Sequence, residues 1–361
     1  MNLFRNFART KTFASALACT MAVTVGFSGV AQADKVKLRG AHVFPETLVQ
    51  SGVLFETWAD ELRKASDGNI DTKIVHGGAL LSVKDHVDGV ASGLVDLVSF
   101  YPIYFPGEFR VEGALTNVTD IWSEQTIDLR KIGEIHRTLH SEFDVMQDEY
   151  SKRNMRMLTP LPVDPYILVC AEPVKNFADL KGRKIRSFGK YLPILIESIG
   201  AQPISLPSSE AYGALSSGLI DCIYSTPSFI YVSKFHEVGP YVYIPGVEGA
   251  RPQALCTAVF AINTNSYDKL SDENKKILND VSENMINVAG EVMTSVYEDS
   301  VAALVEATGN AAVHMTEEEF QNWRASTPNM LDRVATDLDE AGYPGSEIIA
   351  RYRELAAASF E

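Results

Sequence analysis

One ten-residue pattern occurs twice in this chain, and it limits the possible folds more than any other feature. Ala91-Ser92-Gly93-Leu94-Val95-Asp96-Leu97-Val98-Ser99-Phe100 is matched by Ser216-Ser217-Gly218-Leu219-Ile220-Asp221-Cys222-Ile223-Tyr224-Ser225. Apolar residues at helical spacing precede each copy: Val83, Val87 and Val90 before the first, Tyr212 and Leu215 before the second. Gly93 and Gly218 fall where such helices end in a left-handed residue. The apolar run after each aspartate reads as a buried parallel strand.

The flanks repeat as well. In the first unit the spacing predicts a strand over Lys35–Ala41, an amphipathic helix over Val49–Ser66 stopped by Gly68, and a strand over Ile70–Val75. In the second it predicts a strand over Lys184–Phe188, a helix over Pro193–Ile199, a strand over Gln202–Leu206, and a helix capped by Ser208. Alternation of this kind gives doubly wound α/β layers, and ligands of such sheets sit beyond the carboxyl ends of the strands. Two facing sheets would bring Ser99, Phe100 and Tyr101 opposite Tyr224, Ser225 and Thr226. From Ser271 to Thr308 there is no proline, and Leu278, Val281, Met285, Val288, Val292, Val296 and Val301 recur at helical spacing. This predicts one long helix bracing both lobes.

The chain starts with Arg5, Arg9 and Lys11, then an apolar run from Phe13 to Val30 and an Ala31-Gln32-Ala33 site, the pattern of an export signal over residues 1–33. Cys19 sits one place out of register for a lipoprotein site. No later stretch suits a membrane span, so a protein exported to the periplasm, without direct membrane insertion, is expected. Losing the three basic residues of the signal takes the formal charge from −15 to −18. Such a surface disfavours nucleic acid and anionic membranes as partners. Cys170, Cys222 and Cys256 then remain, all in apolar strand-like runs, and buried inert thiols are the expectation.

Asp179-Leu180-Lys181-Gly182-Arg183-Lys184-Ile185-Arg186 places one arginine at the end of a short apolar strand, followed by Gly189. A forked guanidinium there suits a carboxylate. The competing reading of Arg186 is a surface ion pair, for instance with Asp179. A chemical centre is not evident: there is no nucleophile elbow, phosphate loop or Cys-x-x-Cys. His136 and His140 are four apart near Glu134 and Glu142, a spacing that can hold zinc, but a solvated helix face is the expectation. Glu317, Glu318 and Glu319 read as a helix start after Thr316. No cofactor and no metal are expected.

Taken in order, Ala41-His42 with Pro45, Gly77-Gly78-Ala79-Leu80, Ser92 to Asp96, Pro106-Gly107, Asp179 to Arg186, Gly200-Ala201, Pro203, Ser209-Glu210, Tyr212 and Gly218 to Asp221 resemble one family. It is the dicarboxylate-type solute-binding proteins of tripartite ATP-independent periplasmic (TRAP) transporters, and the likeness covers essentially the whole mature chain. The resemblance implies an α/β, two-lobed periplasmic-binding-protein fold with a ligand cleft between lobes. Residues 34–160 plus about 252–285 would form one lobe, and 161–251 plus about 286–361 the other. It implies a receptor that closes on a small carboxylate and hands it to the membrane permease subunits, with Arg186 gripping the carboxylate.

The chain departs from the family pattern at several points. Ser225 or Thr226 stands where the family's asparagine touches the ligand, Tyr166 where some members carry a second arginine, and Ser208 where an aromatic is common. A single cationic clamp suits a monocarboxylate better than a diacid. Tyr166, Phe100, Tyr101, Tyr104 and Phe188 are candidates for the remaining wall, with core packing the alternative, above all for Phe100 and Phe188. Asp164 is placed to meet an amino or hydroxyl group, or is a turn residue. His42 either reaches the cleft or is a structural histidine. The other readings are an exported hydrolase or isomerase on the same scaffold, and a binding protein serving a sensor.

Overall fold

The computed structural model describes residues 35–115, 128–247 and 257–358. The stretch read as an export signal, with Cys19, and Cys256 lie outside the described residues.

The first half runs β1 (Val36–Ala41), α1 (Leu54–Ala65), β2 (Ile70–Val75), α2 (His86–Ala91), β3 (Leu97–Phe100), α3 (Arg110–Ala114), α4 (Leu129–Glu142), α5 (Asp144–Ser151) and β4 (Met155–Pro162). The second runs β5 (Ile167–Cys170), β6 (Lys184–Ser187), α6 (Tyr191–Ser198), β7 (Gln202–Ser205), α7 (Ala211–Ser216), β8 (Cys222–Ser225), α8 (Pro227–Val232) and β9 (Tyr241–Ile244). After them come β10 (Thr257–Asn263), α9 (Thr264–Asp268), α10 (Asp272–Thr308), β11 (Val313–His314), α11 (Glu317–Ser326), α12 (Met330–Glu340) and α13 (Gly345–Ala358).

Two sheets result, in the orders β2-β1-β3-β10-β4 and β11-β9-β5-β8-β6-β7. Their centres are equivalent. In one, β2, β1 and β3 are parallel and β10 joins β3 antiparallel; in the other, β7, β6 and β8 are parallel and β5 joins β8 antiparallel. The repeated sequence explains the likeness. Gly93 and Gly218 have φ of +77° and +74°, closing α2 and α7 in the left-handed region where glycine carries no steric penalty. Three residues later, Asp96 accepts from the Arg39 N–H at 2.8 Å and Asp221 from the Lys184 N–H at 2.7 Å. Each aspartate also donates its own N–H to the same residue's carbonyl. The pattern thus pins the start of each buried strand to its parallel neighbour. β3 and β8 are buried along their whole length, as both-face packing of a parallel strand requires.

The chain passes from the first sheet to the second through Val163–Tyr166, and α10 spans both. At 37 residues, about 55 Å at 1.5 Å per residue, α10 packs against α1, α4 and β4 on one side and α8 and β9 on the other. Ser271 caps its start and Gly309 its end. Thr316 and Glu319 form a reciprocal capping box at the head of α11, as the run of glutamates suggested. Ser208 does not cap α7: it opens a short turn of 3-10 helix after Pro207, and its side chain makes no capping bond.

The cysteines correct the sequence reading. Cys170 and Cys222 face each other in the β5–β8 ladder and are joined as a disulfide, not held as inert thiols. Their separation of 52 residues closes a long loop in the unfolded chain. Replacing both with alanine is expected to lower stability by about 2–4 kcal/mol. Denaturant titration with and without reductant checks this: reductant should shift the natural chain and leave the variant where it is.

Candidate ligand-binding site

The carboxyl ends of β1, β3, β6 and β8 converge between the sheets, where two hollows lie. The inner one is small, about 20 Å³. The first sheet's side contributes Phe44, Gln50, Tyr101 and Tyr104 to it, the crossover Val163 and Tyr166, and the second sheet's side Ser225, Thr226 and Phe229. The outer one is a cavity of about 790 Å³, walled by Ile103, Tyr104, Phe109 and Arg110 on one side and by Phe188–Tyr191 and Ser205–Pro207 on the other, with Asp337 and Leu338 at its edge. Tyr104 borders both. The rings of the inner hollow meet edge to face: Phe44 with Tyr101 at 5.5 Å and with Phe229 at 5.4 Å, and Tyr166 with Tyr224 at 5.5 Å. Aromatic quadrupoles favour this arrangement.

Arg186 lies at the third position of β6 and is only 1% exposed. Its Nε donates to the Leu206 carbonyl at 3.2 Å, and its guanidinium stands 4.7 Å from the centre of the Phe188 ring. Nη2 is buried and has no hydrogen-bond partner. The Phe188 ring also meets Tyr104 at 5.2 Å and Tyr166 at 6.3 Å, so the cation stands behind the ring that links both hollows. The surface ion pair with Asp179 does not form; that carboxylate accepts from the Lys175 N–H instead. A buried guanidinium with an unmet donor is costly unless an anion completes it.

Asp164, in the crossover, is fully buried and is not a solvated turn residue. Its two oxygens accept from the Ser228 N–H and hydroxyl, each at 2.9 Å. The Ser228 hydroxyl also lies 2.8 Å from Gln50 Oε1, and Gln50 Nε2 donates to Thr226 at 3.2 Å. Gln50 thus ties the first sheet's side to the head of α8. Burial pushes the Asp164 carboxyl up to about 6, against the pull of the Ser228 and Thr226 hydrogen bonds.

Of the residues singled out from sequence, Tyr101, Tyr166, Ser225 and Thr226 share the inner hollow and Phe188 lines the outer one. Phe100 turns the other way: strand alternation sends its ring into the packing of Phe105, Phe109 and Tyr150. Ser208 lies in its turn beside the outer cavity, whose wall is formed by Pro207 instead. His42 is buried in a chain of three hydrogen bonds. The Phe44 N–H donates to its Nδ1, its Nε2 faces His76 Nδ1 at 2.7 Å, and His76 Nε2 faces Glu56 at 2.8 Å. Burial and the neighbouring histidines hold the His42 imidazole down at about 3. It anchors the loop that carries Phe44. Phe44, Gln50 and Phe229 escaped the sequence reading because none belongs to a motif: Phe44 lies in the loop after β1, Gln50 in the short helical segment Val49–Val53 and Phe229 in α8.

His136 and His140 are not on a solvated face. Both imidazoles contact Glu112, which is completely buried, and His136 also reaches Thr257. Burial pushes Glu112 up, but the two imidazoles outweigh it and hold the carboxyl at about 2. Among the described residues no cluster has a geometry that could hold a metal ion, and no helix is long and apolar enough to cross a membrane.

Two α/β lobes with equivalent sheets, facing each other over a ring-lined hollow, with a buried guanidinium of one unmatched nitrogen behind the Phe188 ring, define a two-lobed solute-binding protein. The family model of the bacterial extracellular solute-binding proteins, family 7, matches residues 40–337, and the chain belongs to that family. It is similar to the ectoine/5-hydroxyectoine-binding periplasmic protein of Ruegeria pomeroyi, 25% identical over 97% of this chain and 94% of the relative. A TRAP solute-binding protein from Rhodoferax ferrireducens, solved with copurified benzoate, shares the fold with a TM-score of 0.79 at 21% identity, covering 90% of this chain and 98% of that one. A marine metagenome protein of the same class, solved with 3-hydroxybenzoate, gives 0.78 at 20% identity, with 90% and 99% covered. The family's members are receptors, so the protein is a solute receptor of the TRAP type and not a hydrolase or isomerase.

A raised carboxyl pKa in the folded state means that folding holds the proton more tightly than the unfolded chain does. Stability from Asp164 therefore grows as pH falls through about 6 and is lost as pH rises through it. Relative to Asp164→Asn, the natural protein is expected to gain stability between about pH 7 and pH 5 in denaturant titrations. A constant difference would show that Asp164 is ionised throughout.

Proposed function

We propose that this receptor captures a small monocarboxylate carried on a ring, places its carboxylate on Arg186 and its ring among Phe44, Tyr101, Tyr104, Tyr166 and Phe229, and delivers it to the permease subunits of a TRAP transporter. The observation that carries the reading is the buried Arg186 guanidinium with Nη2 unmatched. No other arginine or lysine is buried among the described residues, so the charge available suits one carboxylate better than two. The aromatic lining supports a planar or cyclic body. Ectoine, benzoate and 3-hydroxybenzoate, named for the relative and the two neighbours, each carry a single carboxylate on a ring.

Closure is the working step. One lobe is built on the first sheet and the other on the second, with the division near residue 161 and again along α10; β11 returns to the second sheet, but α12 and α13 pack on α3 and α4 and so go with the first lobe, not with the second as the bounds 286–361 would have it. The inner hollow, at about 20 Å³, is smaller than any such acid, so entry requires the lobes to part and the rings to move. Only a solute that binds the closed form better than the open form shifts that equilibrium, and the permease then meets the closed form. The periplasmic names of its relatives, together with the export-type start of the sequence, support a periplasmic location.

Removing the guanidinium leaves a buried carboxylate without its partner. Arg186→Ala is expected to weaken benzoate binding by about 2–5 kcal/mol, roughly thirtyfold to several thousandfold. Arg186→Lys should recover only part of that, because an ammonium lacks the planar fork. Calorimetry with benzoate, and with succinate as the diacid comparison, tests the reading. Succinate binding tighter than benzoate would overturn the monocarboxylate class, and equal affinities for natural and Arg186→Ala protein would overturn the site.

A further inference from the structure

The last two helices ride on the first sheet's side of the molecule. α13 packs on α4, where Arg351 forms a two-pronged pair with Glu142 at 2.8 Å through each nitrogen. α12 packs on α13 and on α3, and Arg110 of α3 stands over the Tyr343 ring between them. Lys190 belongs to the other side. It is the residue before α6, four positions after Arg186 and two after Phe188.

These two halves meet across the mouth of the outer cavity. The Asp337 carboxylate on α12 takes Lys190 Nζ at 2.7 Å on one oxygen and Arg333 Nε at 3.1 Å on the other. Its side chain is 7% exposed, whereas that of Lys190 is 52% exposed. Burial pushes the Asp337 carboxyl up, but Lys190 and Arg333 outweigh it and hold it below the usual carboxylate range. Tyr191 faces the same group, and burial together with that charge raises its phenol. Close by, the two sides also touch through Gly189, where an added Cβ would come within 2.7 Å of Ile103.

We propose that Asp337 is a positioning residue for ligand retention: it clasps Lys190 only when the lobes are shut, and so holds the Arg186–Phe188 segment against the first lobe. The proposal rests on the closure reading above. The pair lies at the rim, away from both the crossover and α10, so parting the lobes must separate it while either lobe stays intact. Arg333 is on the same helix as Asp337 and keeps the carboxylate charged and oriented in the open form. The acidic charge of the protein at large does not disturb the clasp beyond about a Debye length. Breaking it removes a contact of the closed state alone, which acts on the open-to-closed ratio and on ligand release more than on capture.

The test uses the full chain with Cys19→Ser and Cys256→Ser, leaving the Cys170–Cys222 bond in place. Spin labels at Lys84→Cys, which lines the outer cavity, and Ser209→Cys, two residues beyond its Pro207 wall, both exposed, report the opening by electron–electron double resonance. Distances are measured without ligand and with benzoate in excess. Asp337→Asn and Lys190→Met are each expected to move the open-to-closed ratio about three- to fivefold toward open. The double variant should do no more than either single one, because both remove the same pair. Melting temperatures close to the natural value separate this from damage to the fold, and Lys190→Met, at a half-exposed side chain, guards against a misfolded Asp337→Asn. Two separations whose ratio ignores both variants would overturn the clasp and leave closure standing. One fixed separation in every sample would overturn both.

Discussion

A guanidinium sealed from water with one nitrogen unmatched is the constraint on which the rest of this site depends. Taking Arg186 out of water is costly, and one backbone carbonyl and one aromatic face return only part of it. The fold carries that deficit because β6 is held on both sides, by β7 and β8, and its start is pinned by Asp221. A side chain projected from a central strand moves little. The deficit is therefore a stored preference for an anion at one place.

The duplicated frame explains why that place is between the sheets. In each half the same glycine and aspartate lock a helix end to a buried strand, and each strand leaves its carboxyl end free for other work. The two ends have diverged. After β3 come Tyr101 and Tyr104, apolar faces with hydroxyls; after β6 comes Phe188, and at the end of β8 lie Ser225 and Thr226. On the proposed reading one half supplies most of the wall and the other the charge, so neither half alone would make a site.

Most of this frame was legible in the residues, since glycine at a helix end, aspartate before an apolar run and apolar spacing are local signals. β5 and β10 were not legible as antiparallel members, because a strand buried on both faces reads alike in either direction. Phe100 and Tyr101 are adjacent and equally aromatic, and only the pleat decides that one faces the core and the other the hollow. His136 and His140 looked like a wet helix face because their partner Glu112 lies 28 and 24 residues away from His140 and His136 in the chain. Gln50 was invisible for the same reason: its partners Thr226 and Ser228 are 176 and 178 residues distant.

The fate of the buried acids makes the free arginine intelligible. Glu112 is matched by two imidazoles, Glu149 by the N–H groups of Val111 and Glu112, Asp164 by Ser228, and Asp337 by Lys190 and Arg333. In an acidic protein a buried cation would be the natural partner for any of these groups. Had one of them turned to Arg186, the guanidinium would be satisfied within the chain and would have no use for a solute. Each acid is instead held by a partner of its own, in the case of Asp164 by a serine and a neighbourhood that raises its pKa. On the reading proposed above, a site that binds an anion from outside has to be built without an internal one in reach, and among the described residues these four carboxyls each meet a partner other than Arg186, which leaves the cation available.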